Sequence, residues 1–481
     1  MASIDRRRRM PLGRQIYERV QAAIESGVLA PGARVASARA LASELGVARG
    51  TVEAAYQRLA GEGYLVARGP AGTRVSPNLP KLPKLPNAPR ARLGEAPAAS
   101  THADAPDTAL ARIMSTPPMP LQLGIPALDA FPRKLWVRLA ARRVRATLPG
   151  DLGYGDPRGE PALRQAIAAY LHVSRGVACA PDQIFVTAGY RASLGLAVGA
   201  LLRSGDSVWI EDPGYLPTRA VLEAVPVTVY PVPIDEEGLA VSTGRRLAPR
   251  ARMAVVTPSH QAPLCVSMTI ARRLALLDWA SKAKAWVLED DYDGELHYAG
   301  PTLPALKSLD ANDRVLYAGS FSKVLFPALS LGYLVVPKAV VALFDEVVHA
   351  APGRSPRVTQ AIVADFLTEG HFARHLKKMR GLYARRRAWL VDALHAEFGP
   401  RVQIDQTRGG MHLIMRVRTQ ASDVTLARRA VQAGLNCQPL SQRYAKPHAR
   451  NDGLLMGLTN VVSAAQARQI ARRLRTAFAI E

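Results

Sequence analysis

Residues 315–323 read VLYAGSFSK, a short apolar strand followed by a lysine among serines. A lysine just beyond a strand can form a Schiff base, and hydroxyls beside it can hold a phosphate. Four further apolar runs come earlier in the chain, each followed by polar residues: 184–186, 207–210, 254–256 and 286–288. Strands that alternate with helical stretches predict a mostly parallel α/β sheet whose site lies at the carboxyl ends of the strands.

The polar clusters after these runs carry complementary chemistry. Three acidic residues at 289–291 continue the fourth run, and a carboxylate there could keep a pyridine nitrogen protonated. Taken singly, Lys323 is more typical of a surface lysine and Asp290 of a solvated turn. Five such clusters on five strand ends are much less expected by chance. The pattern therefore predicts a cofactor site built around a lysine and an acid.

The composition excludes several classes of protein. The chain has 481 residues, 48% hydrophobic and 21% charged, which excludes global disorder, collagen and coiled coil. No apolar run reaches the roughly 18 residues needed to span a bilayer, and none follows Arg6–Arg9 as in a secretion signal. Cys179, Cys265 and Cys437 lack metal or disulfide spacing. With a net charge of +24, we expect a cytoplasmic protein with a polyanionic partner, no metal site and no membrane association.

The chain divides into three predicted parts. Prolines crowd between residues 80 and 120 without sustained periodicity, which is typical of an extended linker. We predict a small N-terminal module at 10–77, a Pro-rich linker at 78–118 and a large body at 119–481. The alternative is a proline-rich surface loop within one domain, but loops of that length are rare.

The N-terminal module has the pattern of an α+β winged helix-turn-helix. Apolar residues recur every four positions over 12–24, which predicts an amphipathic helix. Ser37 offers an N-cap for a short second helix, and a tight turn at Gly46 leads to a third helix from Ala48. Residues 64–75 then predict a β-hairpin in the place of a wing. The alternative is a generic three-helix bundle with a solvated arginine face.

Such a module would bind double-stranded DNA through its third helix. The first residues of that helix meet base edges in the major groove, and here they are Arg49, Gly50 and Thr51. Other arginines are placed to contact phosphates or the minor groove. We predict that role for Arg39 on the second helix and for Arg68 or Arg74 on the hairpin.

Both parts resemble known families. Residues 10–77 resemble the GntR-type winged helix over PLGRQIYERVQAAIESGVLAPGARV, SARALASELGVARGTVEAAYQRLAGEGYL and GPAGTRV. The body resembles the fold type I aminotransferases that bind pyridoxal 5′-phosphate (PLP), and more closely the MocR (GabR-like) transcriptional regulators. The matching stretches, from about residue 120 onward, include YGDPRGEPALRQAIAAYL, EDPGY, VVTPSHQAPL, EDDYDGELHY, GSFSKVLFPALSLGYLVVP and GGMHL.

The resemblance implies roles for individual residues. Lys323 is expected to form the Schiff base with PLP, and Asp290 to pair with the ring nitrogen. Tyr292 is expected to bond the phenolic oxygen of the ring. Residues expected near the ring are His260, Gln261 and Tyr215. Residues expected at the phosphate are Ser320, Ser322, Gly189, Tyr190 and Arg191, with Tyr154 reaching a phosphate across a dimer interface.

Two subsites depart from the family pattern. The arginine that usually clamps the phosphate is replaced by Ser330, and the usual Ser-Gly-x-Gln-Gln loop is replaced from Ala188 onward. We hypothesise that Arg191 supplies the lost charge; the rival reading is a decayed site that binds the cofactor weakly or not at all. Residues 454–458 also lack the usual carboxylate-binding arginine, for which Arg219 and Arg408 are possible substitutes.

Three functions follow from these features. The first is a dimeric transcription regulator that binds an operator and senses an amine, an amino acid or PLP itself. The second is a working aminotransferase with an appended DNA-binding module. The third is a pseudo-enzyme body that serves only as a dimerisation scaffold. The linker and winged helix favour regulation, and the changed phosphate and carboxylate subsites argue against efficient turnover.

Overall fold

The computed structural model of the protein describes residues 10–67, 72–77, 79, 118–298, 304–350, 355–407, 409–446 and 452–479. The chain divides into two compact units, Met1–Thr108 and Ala109–Glu481. Because residues 80–117 lie outside the described ranges, the linker stays a prediction. No helix in the described ranges is long and apolar enough to cross a membrane.

The N-terminal unit is a winged helix-turn-helix, as predicted. Its elements are α1 (Leu12–Glu25), α2 (Ala38–Leu45), α3 (Arg49–Gly61), β1 (Leu65–Ala67) and β2 (Thr73–Val75). The Ser37 hydroxyl accepts a hydrogen bond from the Ala40 amide at 3.1 Å, so the predicted N-cap of α2 is confirmed. The two strands pair antiparallel. Apolar side chains from the helices and hairpin form one core, including Ile16, Val52, Leu59 and Val75.

A central sheet organises the large unit. Its strands are β3 (Ile184–Thr187), β4 (Ser207–Asp212), β5 (Thr228–Asp235), β6 (Gly238–Leu239), β7 (Met253–Val256), β8 (Trp286–Asp291), β9 (Val315–Ser320) and β10 (Gly332–Val335). Their order is β3-β10-β9-β8-β7-β4-β5-β6. The five strands predicted from the sequence all form and run in one direction, whereas β10 is antiparallel to both of its neighbours.

Helices cover both faces of this sheet. They are α4 (Arg133–Arg145), α5 (Pro161–Arg175), α6 (Tyr190–Leu201), α7 (Leu216–Glu223), α8 (Val241–Leu247), α9 (Ile270–Ala283), α10 (Val341–Ala350), α11 (Arg357–Thr368) and α12 (His371–Phe398). Successive residues of one strand belong to different cores. Trp209 packs with α9, while Val208 and Ile210 pack with α6. Burial on both faces explains why these strands read as continuous apolar runs.

A second, smaller sheet follows α12 and was not predicted. It contains β11 (Val402–Ile404), β12 (His412–Val417), β13 (Gln438–Pro439) and β14 (Leu454–Gly457), in the antiparallel order β11-β12-β14-β13. Helices α13 (Asp423–Gln432) and α14 (Ala464–Phe478) complete this region. The sheet brings residues from the last quarter of the chain to the loops after β4 and β7.

Candidate functional site

The carboxyl ends of β3, β4, β7, β8 and β9 lie at one edge of the central sheet, because these strands are mutually parallel. The three acidic side chains of strand β8 differ in their hydrogen bonds at this edge. The Glu289 carboxylate accepts two backbone hydrogen bonds at 2.8 Å, and Asp291 accepts from Arg175 at 2.8 Å and from the Tyr317 hydroxyl at 2.6 Å. In the described residues no group donates a hydrogen bond to the Asp290 carboxylate, although its residue is only 4% exposed. Asp290 is therefore the acid left for a ligand.

Electrostatics distinguish Asp290 further. Burial first, and then the neighbouring carboxylates, raise the pKa of Asp290 well above its usual value; the charge of Lys323 opposes that rise. A buried acid without a protein partner is costly unless a cation reaches it. Asp290 thus suits a protonated ring nitrogen, which is the partner implied by the resemblance.

Lys323 lies at the same end of the sheet. Its Nζ donates a hydrogen bond to the Gly124 carbonyl at 3.3 Å. Gly124 has a φ of +70°, and a Cβ built there would lie 2.7 Å from that Nζ. The glycine therefore leaves the space in which the amine of Lys323 can move towards a ligand.

The predicted phosphate subsite gathers at the start of α6. Gly189 precedes the helix with a φ of +97°, and the first N–H groups of a helix have no intrahelical acceptor and can bind an anion. The Ser330 hydroxyl donates to the Ala188 carbonyl at 3.2 Å, so the two departures from the family pattern touch each other. Arg191 is the second residue of α6 and is exposed, and no side chain in the described ranges pairs with it.

The remaining serines of this subsite have ordinary roles in the chain itself. The Ser322 hydroxyl accepts from the Leu331 amide at 3.4 Å, and Ser320 is the last residue of β9, half-buried. Tyr154 is 92% exposed. Its predicted contact across a dimer interface remains a prediction.

The residues expected around the ring fall into two groups. The Nδ1 of His260 lies 3.2 Å from the Tyr292 hydroxyl, so these two are brought together as expected. Gln261 is 2% exposed and its amide is used within the chain, since it donates to Glu211 at 3.1 Å and to the Pro213 carbonyl at 2.8 Å. Gln261 therefore positions the loop, and its expected place near the ring stays a prediction.

A small cavity, open to solvent, lies beside Tyr215. The ring of Tyr190 also lines this cavity, and its centroid lies 6.0 Å from that of Tyr215. The hydroxyls of Tyr190 and Thr218 share a hydrogen bond at 2.7 Å. Two arginines line the cavity, Arg219 and Arg443. Arg219 lies 3.8 Å from Asp212. Of these two only Arg219 was considered from the sequence, and Arg408 lies outside the described residues.

Arg443 was missed because it follows β13, far along the chain. Its guanidinium donates to the Gln438 side chain, and burial lowers the pKa of Arg443. No carboxylate in the described ranges pairs with it. A half-buried guanidinium without a carboxylate partner at a cavity favours an anionic ligand.

The described residues among the predicted DNA contacts belong to the second and third helices and the hairpin of the N-terminal unit. Arg39, Arg49 and Gly50 are exposed, and Thr51 is half-buried. Arg49 pairs with Glu53 at 2.7 Å across one helical turn. The guanidinium of Arg74 donates to the Gly32 carbonyl at 3.0 Å, and its DNA contact stays a prediction. Arg68 lies outside the described residues.

Comparisons with known proteins cover both units. The family model for aminotransferase class I and II matches residues 119–452, and the model for bacterial regulatory proteins of the gntR family matches residues 12–75. A probable rhizopine catabolism regulatory protein MocR from Rhizobium meliloti is 36% identical over 92% of this chain and 89% of its own. A pyridoxine biosynthesis transcriptional regulator PdxR from Corynebacterium glutamicum is 33% identical over 92% and 91%.

Solved structures match the large unit. A kynurenine aminotransferase from Pyrococcus horikoshii aligns with a TM-score of 0.70 and 23% identity, over 81% of this chain and 97% of its own. The α-aminoadipate aminotransferase LysN from Thermus thermophilus aligns with a TM-score of 0.68 and 26% identity, over 79% and 96%. The body therefore has the type I aminotransferase fold. The chain belongs to the GntR family of bacterial transcriptional regulators, among the MocR-type members that join a winged helix-turn-helix to an aminotransferase class I and II domain.

Proposed function

We propose that this regulator binds operator DNA as a homodimer and reports the state of a PLP site, sensing a small amine or amino acid or PLP itself. The observation that carries the proposal is the buried Asp290 carboxylate, which accepts no hydrogen bond from the described residues and lies at the sheet edge that also holds Lys323. An acid and an amine so placed serve a pyridine cofactor, and the winged helix supplies the output.

Different residues of the site would hold different parts of the cofactor. PLP supplies an electrophilic carbon that captures amines and a ring that withdraws electrons. Lys323 would hold the carbonyl end, and the Asp290 carboxylate would keep a proton on the ring nitrogen. The N–H groups at the start of α6, with Ser320 and Ser322, would hold the phosphate. Tyr292, positioned by His260, would face the phenolic oxygen.

Sensing is favoured over turnover by the anion subsites. Ser330 offers no charge to the phosphate where an aminotransferase has arginine. The cavity beside Tyr215 offers Arg443 and Arg219, and a carboxylate there would gain a buried, charge-assisted bond. An amino acid effector would then meet both the cofactor and an arginine. Residual half-transamination is compatible with this arrangement.

Arg191 is our candidate for the lost phosphate charge. Replacing Arg191 with alanine should weaken PLP binding at least tenfold, since one charge-assisted contact contributes about 1.5–3 kcal/mol. Fluorescence titration of the apo protein with PLP measures the change. Arg203→Ala, at an exposed arginine just beyond α6, is the matched control and should leave affinity unchanged. An Arg191→Ala protein that binds PLP as tightly as wild type would refute this role.

The homodimer is supported by an apolar surface. Five large side chains between residues 137 and 154 are more than half exposed: Val137, Val144, Leu148, Leu152 and Tyr154. Exposed apolar clusters of this kind mark interaction sites. A second copy of the chain covering this surface would bring Tyr154 to the partner's phosphate subsite, and a symmetric dimer suits paired DNA half-sites.

DNA binding should depend on Arg49. The Arg49→Ala protein should bind a footprinted fragment from upstream of its own gene at least tenfold more weakly, because one base or phosphate contact contributes about 1–3 kcal/mol. Arg58→Ala is the matched control: Arg58 lies at the other end of α3, is exposed and pairs with Glu62 at 2.9 Å. Fluorescence anisotropy at fixed salt measures both. Equal losses in the two variants would contradict the assignment.

The same purified protein separates the three functions. An operator affinity that changes when PLP and an amine are added supports the sensor. Sustained turnover of an amino donor and a keto acceptor would favour the aminotransferase. Protein that takes up no PLP, yet dimerises and binds DNA, would favour the scaffold.

A further inference from the structure

Cys265 occupies an unusual backbone position in the loop between β7 and α9. Its φ is +62°, a conformation that favours glycine and costs a residue with a side chain about 1–2 kcal/mol. The residue is 8% exposed.

The first contact of Cys265 is His412 on β12. The sulfur lies 3.2 Å from the Nε2 of His412, and that Nε2 also lies 2.9 Å from the Pro263 carbonyl. A carbonyl oxygen only accepts hydrogen bonds, so the Nε2 of His412 carries a proton. The sulfur lies within hydrogen-bond distance of this N–H, and it also lies 3.6 Å from the Pro263 carbonyl, to which a protonated thiol can donate.

The second neighbour of Cys265 is His260. The Nδ1 of His260 lies 3.0 Å from the Asp293 carboxylate, so this nitrogen also carries a proton. The Nε2 of His260 is buried and has no hydrogen-bond partner in the described residues. The rings of His260 and His412 have centroids 5.9 Å apart, and both interact electrostatically with the thiol. Asp293 therefore orients the imidazole of His260, as an acid orients the imidazole beside an activated thiol.

The charges in this cluster support one another. Burial alone raises the pKa of the Cys265 thiol, but His412 and then His260 overcome it and bring the pKa to about 6. Burial lowers the pKa of His260, and Asp293 and Cys265 overcome that effect and raise it well above its usual value. The negative charge of the thiolate also contributes to the raised pKa of Tyr292 and of Tyr298.

We propose that Cys265 is a peroxide-reactive thiolate, activated by the cluster of Asp293, His260 and His412. The thiolate sulfur attacks one oxygen of hydrogen peroxide, an S–O bond forms and the O–O bond breaks. The leaving hydroxide takes a proton from a neighbouring imidazolium and departs as water. Sulfur loses two electrons to the peroxide and becomes a sulfenic acid, which thiols can reduce. The burial of Cys265 selects an oxidant of about the size of water.

The other two cysteines of the chain are internal controls. Burial raises the pKa of the Cys179 thiol to about 11 and raises that of Cys437, and no histidine in the described residues interacts with either thiol. The full chain is treated with limiting hydrogen peroxide at pH 7, its remaining thiols are blocked under denaturing conditions, and each cysteine peptide is quantified by mass spectrometry. Cys265 should be oxidised at least tenfold faster than either control. Equal rates at Cys265 and Cys179 would overturn the proposal.

A pH series tests the role of His412 as a positioning residue. In the wild type, oxidation of Cys265 should be level above about pH 7, where the thiolate is fully formed. In His412→Gln the thiol should return towards its ordinary pKa of about 8.5, so the rate at pH 7 should fall about thirtyfold and recover towards pH 9. Recovery at high pH separates lost activation from misfolding. A wild-type rate that keeps rising above pH 8 would also overturn the proposal.

Discussion

Replacing Lys323 with alanine should abolish the absorption band that PLP acquires when it is covalently bound to a lysine. Lys323 lies at the same sheet edge as the Asp290 carboxylate, and the space beside Gly124 admits its amine. Without the amine, PLP can bind only through its ring and phosphate contacts. Absorption spectra of the PLP-loaded protein before and after gel filtration measure the loss, which we expect to be complete.

The control for this experiment is Lys282→Ala. Lys282 is exposed and pairs only with Asp278 one helical turn away, so its loss should leave the band and the stability unchanged, as for most surface pairs. A band that persists in Lys323→Ala and survives borohydride reduction would assign the covalent bond to another lysine. That result would remove the central residue of the proposed site.

Apolar patterns predicted the central sheet well. The run at 254–256 became β7 and the run at 286–288 became the start of β8, because strands buried on both faces must be apolar throughout. The same burial on both faces leaves no signal in the sequence for the direction of a strand. Gly332–Val335 is as apolar as its neighbours, yet it runs antiparallel to them, and nothing in an apolar run encodes the direction in which it pairs.

Residues that reach the site from far along the chain were not predicted. Arg443 and His412 both belong to the region of the second sheet. Arg443 lies near Tyr215 and His412 contacts Cys265, and each of these pairs is separated by more than 140 residues in sequence. Rules on the spacing of site residues apply only to residues close in sequence. From the sequence, Cys265 is therefore only a cysteine without a metal or disulfide pattern. The tertiary fold alone brings the two histidines to its sulfur.

Strand alternation makes a sharp prediction about the two adjacent aspartates of β8. Asp290→Asn should weaken PLP binding about a hundredfold, because a neutral amide cannot balance a protonated ring nitrogen and a charged hydrogen bond contributes about 1.5–3 kcal/mol. The fraction of Asp291→Asn protein that folds should retain much of the wild-type affinity for PLP. Titration of each purified apo variant with PLP measures the difference.

Folding stability should respond in the opposite order. Arg175 and Asp291 form a pair whose side chains are 4% and 0% exposed. Removing the charge of Asp291 strands a buried guanidinium, so the free energy of unfolding should fall by about 3 kcal/mol. Urea unfolding of the apo protein measures this change. Arg245→Ala, which breaks an exposed pair with Asp278, is the control and should change it by less than about 1 kcal/mol.

Asp290→Asn should leave the apo protein as stable as wild type at pH 7, or more stable. The folded pKa of Asp290 is raised, so the unfolded chain loses this proton first as pH rises, and wild-type stability falls above the unfolded pKa of about 3.9. Asparagine has no proton to lose and escapes that fall. The two variants therefore separate binding from folding: one loses cofactor and keeps stability, and the other does the reverse. If Asp290→Asn destabilised the apo protein as much as Asp291→Asn, Asp290 would have a structural partner, and its assignment to the ring nitrogen would be wrong.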